Sequence, residues 1–311
     1  MKIDFFHRLR SALGASRHRP ISAISDVEGS GQVAGSTDAH GVPGAENFGY
    51  PTVFGSECCR FDHFQMPLFR DWCDQLKYAY TYHRKLWEFV FILQSLKDHG
   101  FLAEGSRGLG FAVGTEHIPD LLASYGAQVL ATDLDHGEGV AKGWADTNQL
   151  ASGKSSLYAG ISPREKFDDL VQFANLDMNA IPDDLKNFDF CWSSCAFEHL
   201  GSIDAGKEFV MNSIDTLRSG GLAVHTTEFN ISSNDATISS GGTVLFRRRD
   251  FEDIAEALRG KGHIVAPLNF YLGTHPLDEY IDVPPYSNDK HLRLSLMNYA
   301  TTSFGLVIVR G

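Results

Sequence analysis

Residues Arg107–Asp135 read RGLGFAVGTEHIPDLLASYGAQVLATDLD. An apolar run leads into a glycine-bearing turn, then a helical stretch, then a second apolar run that ends in acid. That order is the first βαβ unit of a nucleotide-binding sheet. Gly114 lets backbone approach a ligand where a Cβ would clash. The helix behind it offers free N–H groups to a carboxylate or phosphate. Asp133 stands at the carboxyl end of the second strand, the place of an acceptor for ribose hydroxyls. An ordinary βα turn, with glycines serving only packing, is the competing reading of this stretch taken alone.

Two downstream stretches decide which nucleotide is meant. FDFCWSSCAFEHL (Phe188–Leu200) is a strand running into polar residues and a helix. LRSGGLAVHTTEF (Leu217–Phe229) reads as a helix end, a Gly-Gly turn and another strand. With the first unit, they resemble the class I S-adenosylmethionine (SAM)-dependent methyltransferases with a type 11-like domain, from about Leu86 to the C-terminus. The first loop departs from that family's acid followed by three alternating glycines. Gly110 stands where the acid is usual, and Glu116 where the last glycine is. Gly108, Gly110 and Gly114 do not make GxGxxG, which counts against a dinucleotide.

The resemblance implies an α/β, Rossmann-like fold with a seven-stranded, mostly parallel sheet and helices on both faces. It implies SAM as cofactor, lying across the carboxyl ends of the first four strands. By position, Gly110, Ala112 and Gly114 belong at the methionyl part and Asp133 at the ribose hydroxyls. Leu134 would pack on the adenine, and Asp177 and Met178 would meet its edge. Ser193 and Ser194 would face the methionyl group or the sulfonium. Asp133 and Asp177 also read as strand-end acids that cap helices, and the two serines as caps of the helix holding Glu198.

A hydroxyl acceptor needs a base, and histidine titrates nearest to neutrality. His199 follows the fourth strand; His225 and Glu228 end the fifth. Glu198 would orient or assist His199. His225 alternatively sits inside the strand as a buried core residue. Glu198, Glu228 and nearby aspartates would suit magnesium, but no diagnostic ligand spacing occurs and no metal is assigned.

Elsewhere the chain reads as follows. Residues 1–50 form an arm or linker rich in Gly, Ser, Ala, Asp and Pro. Within it, residues 5–13 (FFHRLRSAL) are either a poorly ordered terminus or a short amphipathic helix in peripheral contact with a membrane or partner. Residues 51–100 form a helical cap, and residues 101–311 the methyltransferase domain. In Tyr82–Gly100, Leu86, Phe89, Val90, Leu93 and Leu96 repeat at helical spacing. This helix is placed over the cofactor pocket, with Tyr82, His83, Arg84 and Trp87 closing it and Arg84 paired to a carboxylate, or else it is a charged surface face with Trp87 buried. Further strands are expected at Leu170–Asp177, Leu222–Thr227, His263–Pro267 and Phe304–Val309, and a short helix near 138–148.

The 311 residues carry a net charge of −12, which argues against nucleic acid as substrate, since phosphate binding needs a basic footprint. Arg247-Arg248-Arg249 is read as a solvated helix start or an interface. Five cysteines without a CxxC pair suggest neither disulfides nor a zinc knuckle. A cytoplasmic location is expected, and no apolar run is long enough to span a bilayer. The aromatic, acidic loop Gly273–Leu292 favours a carbohydrate, glycan or other small polar acceptor, and the resemblance extends to enzymes of bacterial surface-polysaccharide synthesis. The alternatives are a nucleotide-dependent oxidoreductase or epimerase, and a non-catalytic SAM-fold binding module, whose mark would be a blocked pocket.

Overall fold

The computed structural model describes residues 51–135 and 151–311. The expected arm, its amphipathic stretch 5–13 and the short helix near 138–148 lie outside the described residues. Two short strands come first, β1 (Ser56–Glu57) and β2 (Tyr82–His83). The parallel strands follow: β3 (Arg107–Phe111), β4 (Gln128–Asp133), β5 (Val171–Asn175), β6 (Phe188–Ser194) and β7 (Leu217–Asn230). Then come β8 (Ile264–Val265), β9 (Leu268–Asn269), β10 (Ile281–Asp282), β11 (Lys290–His291), β12 (Arg293–Leu296) and β13 (Tyr299–Val309). The main sheet runs β5-β4-β3-β6-β7-β13-β12-β10, with β8 paired to β13. Strands β3 to β7 are mutually parallel, and β13 is antiparallel to β7. The seven expected strands are therefore β3–β8 and β13. Part of the segment expected to be a loop, 273–292, instead supplies β10, which pairs with β12 at the sheet edge.

Parallel strands need crossovers, and the helices that make them cover both faces. Among the described residues, the α-helices of five or more residues are α1 (Phe61–Gln65), α2 (Pro67–Leu76), α3 (Arg84–Asp98), α4 (Ile118–Ser124), α5 (Arg164–Leu170), α6 (Ile203–Asp215) and α7 (Arg248–Gly260). One apolar cluster joins α2, α3 and α4 to Phe190, Trp192, Leu222 and Val224. A second joins α6 and α7 to Cys191, Ala223, Leu306 and Ile308 on the other face. Successive strand residues alternate between the two clusters, as the pleat requires.

Helix α3 departs from the expected one-sided pattern: 12 of its 15 residues are buried. The reason is the aromatic segment before it. Phe54 packs against the rings of Trp87 and Phe91. Trp87 donates to His63 Nδ1 at 2.7 Å, and Trp72 donates to Gln94 at 2.8 Å. That coat covers the parts of α3 that the sheet leaves open. Strand β7 also exceeds expectation. The strand continues through Ser219-Gly220-Gly221, but its ladder with β6 skips them: Phe188 pairs with Leu217 and Phe190 with Leu222. The Gly-Gly pair is thus a bulge within the strand and not the turn before it.

On the sheet side, Phe91 of α3 lies over Gly305 of β13, where an added Cβ would collide with the ring. Gly305→Ala is expected to destabilise the fold by about 1–3 kcal/mol through overpacking. Denaturant unfolding measures this; unchanged stability would mean that α3 is not seated on β13.

Candidate functional site

From β3 the chain moves outward through β4 and β5, then returns to place β6 and β7 on the other side of β3. The crevice at the carboxyl ends of β3 and β6 is therefore the topological switch point, where open α/β sheets bind ligands. Its two walls carry strained backbone. Ala112, after β3, has φ 47°, and Cys195, after β6, has φ 46°. A left-handed conformation costs a residue with a Cβ roughly 1–2 kcal/mol, and such strain gathers at functional sites. Gly114, with φ 54°, takes the same region without that penalty.

Strand β4 delivers Asp133 to this end, buried to 2% exposure. Its Oδ2 accepts from the N–H groups of Gly114 at 3.1 Å and Ala151 at 2.8 Å, and its Oδ1 from Leu134 at 2.8 Å. Burial raises its pKa, and those three amides oppose the shift. The carboxylate thus fixes the loop after β3, a role distinct from capping a helix. Beside it, the ends of β4 and β5 frame an open depression of about 280 Å³, lined by Asp135, Ala151, Phe173 and Asn175. Leu134 is half-buried, and Asp177 Oδ1 accepts from Asn179 N–H. Met178 is buried in the apolar cluster under α6. In Gly110, a Cβ would strike Trp192 and Val113, so this glycine is accounted for by packing of β3 against β6.

The two serines part company, because neighbouring residues of a strand face opposite ways. Ser193 Oγ bonds His225 Nδ1 at 2.8 Å, and His225 Nε2 bonds Ser213 Oγ at 3.0 Å. His225 lies among Phe197 and Phe209 with no exposure, and burial pushes its pKa down to about 3. With both ring nitrogens engaged in the core, it does not join the other candidate bases. Ser194 faces α3 instead. Its Oγ accepts from Lys85 Nζ at 2.8 Å and donates to Glu88 at 3.1 Å.

Around Ser194 lies a buried ionic cluster. Arg84 pairs with Glu228 and, at 3.3 Å, with Glu88. Lys85 pairs with Glu88 at 3.1 Å and Glu116 at 3.6 Å, and donates to the Ser194 carbonyl at 2.9 Å. Glu88 also accepts from Ser303 Oγ and, at 3.0 Å, from the Cys195 thiol. Burial alone would raise the Glu88 pKa, but Lys85 and Arg84 outweigh it and hold the group at about 2. The other three acids are less well compensated. Burial lifts Glu116 to about 8 and Glu198 and Glu228 to about 7 each. Glu198 Oε2 accepts from Thr227 at 2.8 Å, and its Oε1 is 3.8 Å from His199 Nε2. His199 Nδ1 donates to the Gly242 carbonyl at 2.9 Å, and burial lowers its pKa to about 4.

The structure thus brings Ser194, Glu198, His199 and Glu228 to one end of the sheet beside Arg84, and leaves His225 and Ser193 in the core. Lys85, Glu88 and Glu116 were not among the candidates. Their spacing resembles ordinary surface pairs on a helix, and only Glu116, standing where a glycine is usual, carried a signal.

No protein-family model matches the chain, and no curated protein sequence matches it. Among solved structures, it is similar to an S-adenosylmethionine dependent methyltransferase from Mesorhizobium loti at 13% identity and a TM-score of 0.41, over 70% of this chain and 96% of that one. A TehB-like SAM-dependent methyltransferase from Corynebacterium glutamicum shows 14% identity and a TM-score of 0.38, over 80% and 99%. The phosphoethanolamine N-methyltransferase 2 of Haemonchus contortus, in complex with SAM, shows 14% and 0.40, over 78% and 60%. Of several such structures, this chain spans about 60% of the length. At TM-scores of 0.38 to 0.41 these likenesses carry no argument by themselves. The order β5-β4-β3-β6-β7 of parallel strands followed by antiparallel β13 fits the Rossmann-like, mostly parallel sheet expected from the sequence. Among the described residues, no helix is long and apolar enough to cross a membrane.

The buried acids fix how stability depends on pH. Glu116, Glu198 and Glu228 titrate near 7–8 when folded and near ~4.3 when unfolded. The folded state therefore binds more protons between those values, and stability falls as pH rises through 7 to 8. Below about pH 6.5 two histidines oppose the three acids and flatten this dependence. His199 and His225, held neutral down to about 4 and 3, gain protons first in the unfolded chain. Tm is expected to be higher at pH 6.5 than at pH 8.5. A Tm that climbs steadily to pH 8.5 would contradict the burial of these acids.

Proposed function

We propose that this chain is a SAM-dependent methyltransferase acting on a hydroxyl of a sugar, glycan or other small polar acceptor. The observation that carries the reading is the switch-point crevice between β3 and β6. On one wall stand the strained loop 112–116 and Asp133, and on the other Ser194, Cys195 and Glu198. Asp133, already tied to three backbone amides, retains a lone pair on Oδ1 for a ribose hydroxyl. Glu116 Oε2 is buried and has no hydrogen-bond partner, which suits the cationic amino-acid tail of SAM. The depression at the ends of β4 and β5 lies on the adenosine side of Asp133. When bound, SAM supplies a methyl already activated on a sulfonium. The chain's own residues hold the acceptor in line and remove its proton.

Glu228 and Glu198 are the residues for that proton. Their pKa values of about 7 match a base working near neutrality, and Arg84 holds Glu228 in place. His199 Nε2 beside Glu198 gives the proton a route toward solvent. A sugar as acceptor draws support from Tyr271 and Tyr280, which are 54% and 45% exposed in a segment rich in acids, a composition that stacks on sugar rings and bonds hydroxyls. One observation favours a second reading, a non-catalytic module of the same fold: Lys85 Nζ bridges Ser194 and Glu116 across the crevice.

SAM and S-adenosylhomocysteine are expected to raise the Tm of the full chain, and NAD to leave it unchanged. Stabilisation by NAD alone would overturn the proposal. Glu228→Gln is expected to lower turnover by about 10²–10⁴-fold, the usual loss for a missing base, with SAM affinity nearly intact. Full turnover in a folded Glu228→Gln variant would remove Glu228 from the reaction; SAM binding without turnover on any acceptor would favour the module.

A further inference from the structure

The donor atoms of Cys195, Glu198 and Glu228 lie within 4.8 Å of one another at the mouth of β6 and β7. These are mixed donors, one sulfur and two carboxylates, brought together from two chain segments. Glu228 is 3% exposed and uses Oε1 for Arg84, while its buried Oε2 makes no hydrogen bond of good geometry, the Thr301 hydroxyl being the neutral group beside the carboxyl. An unsatisfied carboxylate oxygen in such a place costs free energy unless something cationic meets it. Glu198 is arranged alike: Oε2 is taken by Thr227, and Oε1 is on the side of His199 Nε2. Each carboxylate therefore has one oxygen fixed by a protein partner, the arrangement that orients metal ligands.

We propose that Cys195, Glu198 and Glu228 bind a divalent metal ion of borderline softness, of the zinc or cobalt type. Sulfur with carboxylate excludes magnesium and calcium as the preferred guest, since those take oxygen alone. His199 is the adjacent nitrogen donor. Its Nδ1–H is given to the Gly242 carbonyl, which makes Nε2 the lone-pair nitrogen, as in histidines that ligate metals. The charges balance: a thiolate and two carboxylates sum to −3, and a dication with the Arg84 guanidinium sums to +3. The thiol proton, now directed at Glu88, leaves to solvent on binding. Bonds of about 2.0–2.3 Å in a tetrahedron need donors roughly 3.4–3.7 Å apart, so the three side chains must close by about 1 Å, within the reach of glutamate rotamers. A metal ion held here would occupy both carboxylates named above as proton acceptors, so metal binding and that proton-acceptor role are alternative states of one site, and the titration below reads metal binding alone.

The test uses the full chain, stripped with chelator and titrated with Co²⁺ and then Zn²⁺. One equivalent of Co²⁺ is expected, with a sulfur-to-cobalt charge-transfer absorption that Zn²⁺ abolishes by displacement. Cys195→Ser should remove that absorption. Glu228→Gln and Glu198→Gln should each keep it while weakening binding by more than about tenfold, at least the effect of losing an outer partner of a metal. Should Cys195→Ser not fold, the two glutamine variants give the same answer. Absence of the absorption in the wild-type chain would overturn the proposal. So would its persistence in folded Cys195→Ser, which would place the ion on another cysteine, or unchanged affinity in both glutamine variants.

Discussion

Arg84 and Lys85 place two cations at the N-terminus of α3, under a buried surface and at the wrong end of the helix dipole. Neither charge is tolerable there by itself. Their partners come from everywhere around them: Glu88 from the same helix, Glu116 from the loop after β3, Ser194 from β6, Glu228 from β7 and Ser303 from β13. Removing one partner of such a cluster leaves an uncompensated buried charge, typically a loss of about 3–5 kcal/mol. The cluster therefore fixes how α3 lies on the sheet, and with it the shape of the crevice at the switch point.

That arrangement has an electrostatic consequence. Four carboxyls, Glu88, Glu116, Glu198 and Glu228, share two cations. Glu88, in contact with both, stays fully ionised; the others are pushed toward neutrality. The surplus of acid is concentrated where the strained residues Ala112 and Cys195 stand. A site that stores backbone strain and under-compensated carboxyls gains from any ligand that brings positive charge, whether a sulfonium, an ammonium tail or a metal ion.

Much of the framework was legible from residues. Apolar runs separated by turn residues located β3, β4, β6 and β13, and the strand-end position of Asp133 followed from the first βαβ unit. The pairing of Arg84 with a carboxylate was one of two readings of the helix start, and Glu228 is that carboxylate. Other features depend on tertiary context. Helix α3 read as one-sided because its second apolar partner, 51–82, has too little periodicity to announce where it packs. Gly220-Gly221 read as a turn because glycine gives the same local signal in a turn and in a bulge. Lys85 and Glu88, three residues apart, are indistinguishable in sequence from a solvated pair. His225 sits on the core side of β7, and one residue of register separates that face from the one Glu228 occupies. The Arg247-Arg248-Arg249 run resolves into local pairs with Asp250, Glu252 and Asp235.

The central claim is that the crevice between β3 and β6, closed by the start of α3, is where the cofactor binds. Hydrogen exchange of the full chain with and without S-adenosylhomocysteine tests it most directly. The account predicts slowed exchange at residues 111–116, 193–199 and 84–88 together, the three segments that meet at the switch point. Protection confined to other segments, or none at saturating ligand, would contradict it.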